Sequence, residues 1–338
     1  MTTIYEVAKL AGCAPSTVSR VLNDHPNVSR ATKAKVHVAM DKLNYRPNTV
    51  AQSLASQHTQ CIGVMVNELG SSFFGALTSA IESTMRQHGK HTIVTAGHCD
   101  ADTEKKGIEF LIDRKCDAIV VHAEAVSDSY LIELIKRDVP LLIINRVIKH
   151  YEHHCISLDN TTGGVIATQS VIDKGHRAIA YVSGPLNKHD ALERWEGHRK
   201  ALADADIDYN PLNVVETLFT KQGGEAAFET LLKRKAQFSA IVCGNDEIAC
   251  GVMSAARRAG MSIPQQLSIV GFDNSPIATC TYPTLSTVDY PITQMGQHAA
   301  EHILQTVYAE QGIANERHFE PQLVARDSLV VYQPDGAC

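Results

Sequence analysis

Apolar residues in the first 58 positions recur at helical spacing in short blocks, whereas beyond position 60 short apolar runs alternate with longer amphipathic stretches. The blocks at 4–10 and 18–22 predict two helices around Ala11-Gly12-Cys13-Ala14, where the glycine supplies the backbone freedom of a tight inter-helix turn. Pro15 stands at the first position of the second helix, where its missing N–H is tolerated. Ser29 is placed to cap a third helix whose apolar positions Ala31, Val36, Met40 and Leu43 close a three-helix core. Asn48 can cap a further short helix carrying Val50 and Leu54, with Ala51 and Ala55 beside them. So short an uncharged segment does not hold a helix alone and is expected to fold on a partner.

Strand-like runs at 62–66, 92–96, 118–122 and 141–145 alternate with helical patterns at 74–85, 103–112 and 130–135. A second round places helices at 165–172, 194–202, 225–232 and 247–259 among strands at 179–182, 214–218, 240–242 and 267–272. This is βαβ repetition, so the fold class is α/β with parallel sheets, arranged in two lobes behind a helical head.

Charge divides the chain in the same place. Residues 1–58 hold seven Lys/Arg against three Asp/Glu, about +4, while the rest carries about −10 of the total −6. A polyanion suits the head alone. Ser16, Thr17, Ser19 and Arg20 lie opposite the inward-facing Val18, Val21 and Leu22; the hydroxyls can reach phosphates and the guanidinium can fork onto a guanine edge. Leu54 could wedge between base steps in a minor groove. A helix-turn-helix reader of DNA is expected at the head.

Length allows two or three domains, and no apolar run approaches the roughly 18 to 20 residues of a membrane span. With no basic-then-apolar leader, a cytoplasmic protein without membrane partners is expected. Nine cysteines without a C-x-x-C pair read as reduced, small buried hydrophobes. His150, His153, His154 and Cys155 lack a second ligand pair at zinc spacing and read as a solvated loop, with no metal. Phosphate-cradling glycine patterns and the G-x-S-x-G elbow are missing and nothing marks a general acid, so no enzyme and no cofactor is expected. A sugar-processing enzyme or plain sugar-binding receptor is the competing class; a receptor would need an export signal and no DNA head.

In open α/β lobes, ligands bind beyond the carboxyl ends of the strands. His122, Asn145, Asn245-Asp246 and Asp273 each end a predicted strand, Arg194 offers a forked donor, and Tyr290 or Phe219 an aromatic face: the chemistry of a polyol site. Each has a plainer role open to it. Asp273 could start a turn, Arg194 could pair with Glu193 or Glu196, and Asp246 could cap the following helix.

The motifs Thr3-Ile4-Tyr5-Glu6-Val7-Ala8-Lys9-Leu10-Ala11-Gly12, Ser16-Thr17-Val18-Ser19-Arg20-Val21-Leu22-Asn23, Tyr45-Arg46-Pro47-Asn48 and Gln52-Ser53-Leu54-Ala55 are followed in order by Asp117-Ala118-Ile119-Val120-Val121-His122-Ala123, Ile144-Asn145-Arg146, Gly175-His176, Gly244-Asn245-Asp246, Gly271-Phe272-Asp273 and Arg326-Asp327-Ser328. On these the chain resembles the LacI family of sugar-responsive repressors, and within it the galactose-repressor branch. The resemblance implies a helix-turn-helix head at 1–46, a hinge helix at 47–59 and a core at 60–338 like the periplasmic sugar-binding proteins. Lobe 1 is expected at about 60–159 and 291–321, lobe 2 at about 160–290 and 322–330. It extends the DNA-facing set to Thr3, Tyr5, Pro15, Asn23, Asn27 and Ser29, with Asn48, Val50, Ala51, Leu54 and Ala55 in the hinge. The sugar contacts it implies are His122, Asn145, Arg194, Phe219, Asn245, Asp273 and Tyr290, with Phe74 near the mouth.

The function implied is a repressor of carbohydrate-utilisation genes, a homodimer on a palindromic operator, released by a galactose-like hexose or a β-glucoside. A purine- or nucleoside-responsive repressor is the alternative. The chain has no leucine-heptad tail after Tyr332, so a dimer is expected rather than a larger assembly. It departs from the family at Ala14, where a capping Ser is usual, and at Pro15 and Ser16, neither of which can make a bidentate base contact. Ser71-Ser72 replaces the usual Asn or Asp followed by Pro, which bears on which sugar fits.

Overall fold

The computed structural model describes residues 2–22, 25–46, 58–310 and 317–333. It divides into two units, 1–60 and 61–338.

In the first unit, α1 (Ile4–Ala11), α2 (Pro15–Leu22) and α3 (Arg30–Lys42) surround Val7, Ala8, Val18, Val21, Val36 and Ala39. Thr3 and Glu6 form a reciprocal capping box on α1, and Ser29 caps α3 by accepting from the Thr32 N–H. Gly12 takes φ +66° at the end of α1, the left-handed conformation that the turn into α2 requires. Ala31, expected in the core, is exposed; Ala39, one turn before Leu43, takes the buried place.

In the second unit β1 (Cys61–Val66), β2 (His91–Ala96), β3 (Ala118–Val121), β4 (Leu141–Ile144), β5 (Cys155–Leu158) and the late strand at 318–319 form one parallel sheet, ordered 318–319, β5, β4, β3, β1, β2. Strands β6 (Ile179–Ser183), β7 (Val214–Glu216), β8 (Ala240–Cys243), β9 (Ser268–Asp273) and β10 (Ser286–Asp289) form the second sheet, with 322–324 antiparallel on its edge. The chain passes from the first sheet to the second after β5, returns after β10 and crosses again between 319 and 322.

Helices cover both faces of each sheet, and the strand side chains divide accordingly. Ile62, Val64 and Val66 pack against α4 (Ser72–Gln87) and the long helix at 292–308, while Met65 faces α5 (Ala101–Asp113) and α6 (Asp128–Lys136). In the second sheet, Ile179 and Tyr181 face α7 (Asn160–Asp173) and α8 (His189–Asp204), while Ala180 and Val182 face α9 (Lys221–Lys233) and α10 (Asp246–Arg258). Strands buried on both faces read as continuous apolar runs, as parallel sheets require. A Cβ on Gly197 would lie 2.1 Å from the Thr161 carbonyl, so only glycine lets α8 approach α7 this closely and bring Arg194 to its place.

Three expectations are corrected. The segment before β5 is not a solvated loop throughout: His154 Nδ1 lies 2.9 Å from the Leu141 carbonyl, and Cys155 is buried. Cysteine burial is not general, since among the described residues only Cys155 and Cys243 are buried and Cys99 and Cys280 are exposed. Asn245, not Asp246, caps α10 by accepting from the Ile248 N–H at 2.9 Å, because Asp246 is held by Thr287 and Ser275.

Candidate functional site

On the head, α2 turns Ser16, Ser19 and Arg20 outward, with Pro15 and Thr17 half-buried; Tyr5 and Asn27 are exposed. Thr3 and Ser29 are exposed too, although their hydroxyls accept from backbone N–H groups as caps. The result is a hydroxyl-rich strip with one guanidinium on a short helix, able to touch phosphates and one base edge. Asn23, Asn48, Val50, Ala51, Leu54 and Ala55 lie outside the described residues, as does most of the expected hinge.

In the second unit, the carboxyl ends of the strands of the two sheets open on one cleft of about 210 Å³. Six of the eight residues expected to hold an effector line it: Phe74, His122, Arg194, Phe219, Asn245 and Asp273. Asn145 and Tyr290 do not. They lie behind its wall, where the Tyr290 hydroxyl donates to Asn145 Oδ1 at 2.5 Å and the Asn145 amide meets His122 Nε2 at 3.4 Å. Asn160 joins Asn145 Oδ1 at 3.3 Å and accepts from Arg194 Nε at 2.9 Å, so the two residues orient the residues that face the cleft.

Arg194 is the hub of the second-lobe wall. It is buried at 3% exposure, donates to the Gly244 carbonyl at 2.7 Å, lies 3.4 Å from Asp273 and 3.8 Å from Asp190, and stacks 3.8 Å from the Phe272 ring centroid. Neither Glu193 nor Glu196 is its ion-pair partner. Burial works against its charge, yet Asp273 and Asp190 together hold its pKa above the ordinary value. Burial pushes the Asp273 carboxyl well up, against the pull of Arg194. Asp273 also holds φ +104°, a conformation costly for a residue with a Cβ and the kind of strain kept at functional sites.

The first-lobe wall is set by a buried carboxylate. Glu104 on α5 accepts from the backbone N–H groups of Glu124, Ala125 and Val126 at 3.1, 2.9 and 2.8 Å, fixing the loop that carries His122 and Glu124. Arg146 clamps the same loop, donating to the Val126 carbonyl at 2.8 Å and pairing with Asp128 at 2.6 Å. Phe74 meets the His122 ring edge-on at 4.9 Å.

Sequence reasoning did not find Asn67, Glu124, Lys188 or Asp190, all of which line the cleft. They sit on or beside strand-to-helix loops, where no periodicity marks them; their only signal was position just past a strand or before a helix. Glu124 and Lys188 form an ion pair of 2.8 Å that joins one wall to the other, with Cys99 Sγ 3.2 Å from the ammonium. Among the described residues the lining carries five carboxylates (Glu68, Glu124, Asp190, Glu247, Asp273) and two fixed cations (Lys188, Arg194). No helix among the described residues is long and apolar enough to cross a membrane.

Two family models match the chain: bacterial regulatory proteins of the lacI family over residues 3–48, and the periplasmic binding proteins and sugar-binding domain of the LacI family over residues 59–324. The HTH-type transcriptional regulator GalS of Salmonella typhimurium is 38% identical over 329 residues, 97% of each chain. The regulator GalR of Escherichia coli is 36% identical, over 97% of this chain and 96% of its own. Among solved structures, the Lac repressor dimer bound to operator and an anti-inducer superposes with TM-score 0.85 at 27% identity, covering 97% of this chain and 99% of that one.

Proposed function

The chain belongs to the LacI family of DNA-binding transcriptional repressors, and from that premise we propose that a small neutral sugar, a galactose-like hexose or a β-glucoside, binds the cleft and releases the protein from its operator. The genes under its control are then those of carbohydrate use. The observation that carries this reading is the lining of the cleft. Carboxylates and an oriented guanidinium supply acceptors and donors for hydroxyls, and Phe74 and Phe219 offer apolar faces on opposite walls for the C–H side of a sugar ring. Five carboxylates against two cations, both cations already paired, disfavour a phosphorylated or acidic sugar.

Two copies pair on a palindromic operator, each placing α2 in a major groove; the dimeric Lac repressor on its operator supports this arrangement. The assigned contacts are Ser16, Ser19 and Arg20 on DNA and His122, Arg194, Phe219, Asn245 and Asp273 on sugar. Effector binding acts only through its preference for one arrangement of the lobes, and the coupling is reciprocal: operator DNA weakens sugar binding by the same factor.

The test is operator binding by the purified protein, on a palindrome upstream of its own gene, titrated in turn with galactose, glucose, a β-glucoside and a purine. Release by one of the sugars is expected. Release by the purine alone moves the protein to the nucleobase-responsive class, and tighter binding with sugar reverses the sign to corepression.

A further inference from the structure

Asn67 follows directly on β1 and lines the cleft, yet it is 3% exposed, and neither its Oδ1 nor its Nδ2 has a hydrogen-bond partner among the described residues. Its backbone carbonyl is engaged, accepting from the His98 N–H at 2.7 Å. A carboxamide buried with both ends unsatisfied is costly, and side chains of this kind are retained where something else completes them.

A second unsatisfied group stands beside it. Strand β1 pairs with β3 so that Met65 lies opposite Val121, which brings Asn67 and His122 to the ends of neighbouring strands, and both line the cleft. Asn145 Oδ1 is taken by Tyr290 and Asn160, so its amide nitrogen is the group that meets His122 Nε2. Nε2 therefore accepts and Nδ1 carries the proton. That Nδ1 is buried without a hydrogen-bond partner, the nearest carboxylate, Glu124, being 3.9 Å away. The first-lobe lining thus holds two donors and one acceptor without hydrogen-bond partners among the described residues.

Building on the sugar reading of this cleft, we propose that Asn67 is a specificity-determining contact of the effector. Its Oδ1 accepts from one hydroxyl and its Nδ2 donates to a neighbouring oxygen, with His122 Nδ1–H a further donor of the same lining. A hydroxyl and an adjacent oxygen fit this set; a deoxy position leaves the amide buried and unfilled, which is the strongest form of rejection a polar site has.

Calorimetric titration of the full-length protein and its Asn67→Ala and Asn67→Asp variants with D-galactose and methyl β-D-glucoside tests this, together with thermal melts of the ligand-free proteins. Loss of the amide weakens the sugar that binds the parent by about 10- to 100-fold. The ligand-free Asn67→Ala protein loses no hydrogen bond, and its melting temperature stays close to that of the parent. Among monodeoxy analogues of that sugar, at least one discriminated by the parent is no longer discriminated by Asn67→Ala. Equal affinity of parent and variant for sugar overturns the proposal, as does a lowered melting temperature with unchanged sugar selectivity, which marks a structural asparagine. A parent that binds neither sugar overturns the effector class and this contact with it; a parent that binds one while Asn67→Ala binds it equally well overturns the contact alone.

Discussion

Asp246 and His198 are both buried in the second lobe, and burial shifts their protonation in ways that oppose each other in stability. The Asp246 carboxyl is pushed up to about 6 by burial, against hydrogen bonds from Thr287 and Ser275. His198, stacked on Tyr181 and bonded to Thr168, is pushed down to about 3 by burial alone. For Asp246 the stability linked to its raised pKa is complete below pH 3.8 and is lost as pH rises through about 6; for His198 it is complete above pH 6.5 and is lost on acidification toward about 3. Between about pH 4 and 6 the two contributions cancel. Asp246→Asn removes the first and is expected to lose stability on acidification from pH 6.5 to 4 more steeply than the parent, by on the order of 3 kcal/mol, while His198→Gln does the reverse. Urea unfolding at stepped pH measures both, and profiles parallel to the parent would contradict the assignment. Neither role was legible in the sequence. Asp246 looks like a helix cap, and its true partners lie 29 and 41 residues away, beyond any local pattern.

Elements were far more legible than their side-chain partners. Turn chemistry and spacing placed α1, α2 and α3 because Gly12, Pro15 and Ser29 act locally, through backbone conformation and caps. The alternation of apolar runs placed β1 to β4, but β5 and β10 went unread: β5, Cys-Ile-Ser-Leu, is interrupted by a serine, and β10 is Ser-Thr-Val-Asp, buried through hydrogen bonds rather than apolarity. Two elements carry predictions. Arg20→Ala on α2 should lose discrimination of operator from random DNA by about 1 to 3 kcal/mol while salt-sensitive binding to any DNA persists, measured as paired dissociation constants across a salt series. Equal losses on both DNAs would remove Arg20 from base reading. On α5, Glu104→Ala leaves three backbone N–H groups of the 124–126 loop without their acceptor and should lower core stability by about 3 kcal/mol or more, with sugar affinity falling as the His122 loop loosens. Unchanged unfolding midpoints would show that the loop holds itself.

At the scale of the whole core, six expected effector residues come together from far apart in sequence, His122, Asn245 and Asp273 at strand ends, Phe74 and Arg194 on α4 and α8 and Phe219 on the loop after β7, because parallel strands all end on one side and both sheets present that side to the same cleft. Asn145 and Tyr290 stand at equivalent strand ends but turn behind the wall, since Tyr290 packs edge-on against Phe73 and its hydroxyl is spent on Asn145; strand-end position alone does not tell facing from supporting. The Glu124–Lys188 pair is the only ion pair found between the two walls among the described residues, and although burial works against the lysine's charge, Glu124 and Cys99 together raise its pKa. A tie across the cleft stabilises whichever arrangement brings the lobes together. If that arrangement is the sugar-bound, weakly DNA-binding one, Lys188→Gln favours the other: operator affinity without sugar rises about 3- to 10-fold, and the sugar concentration for half-release rises with it. The decisive quantity is operator affinity in the absence of sugar. A lysine that merely touches the effector leaves it unchanged and alters only release, whereas weaker operator binding would assign the tie to the DNA-bound arrangement and reverse the direction in which closure works.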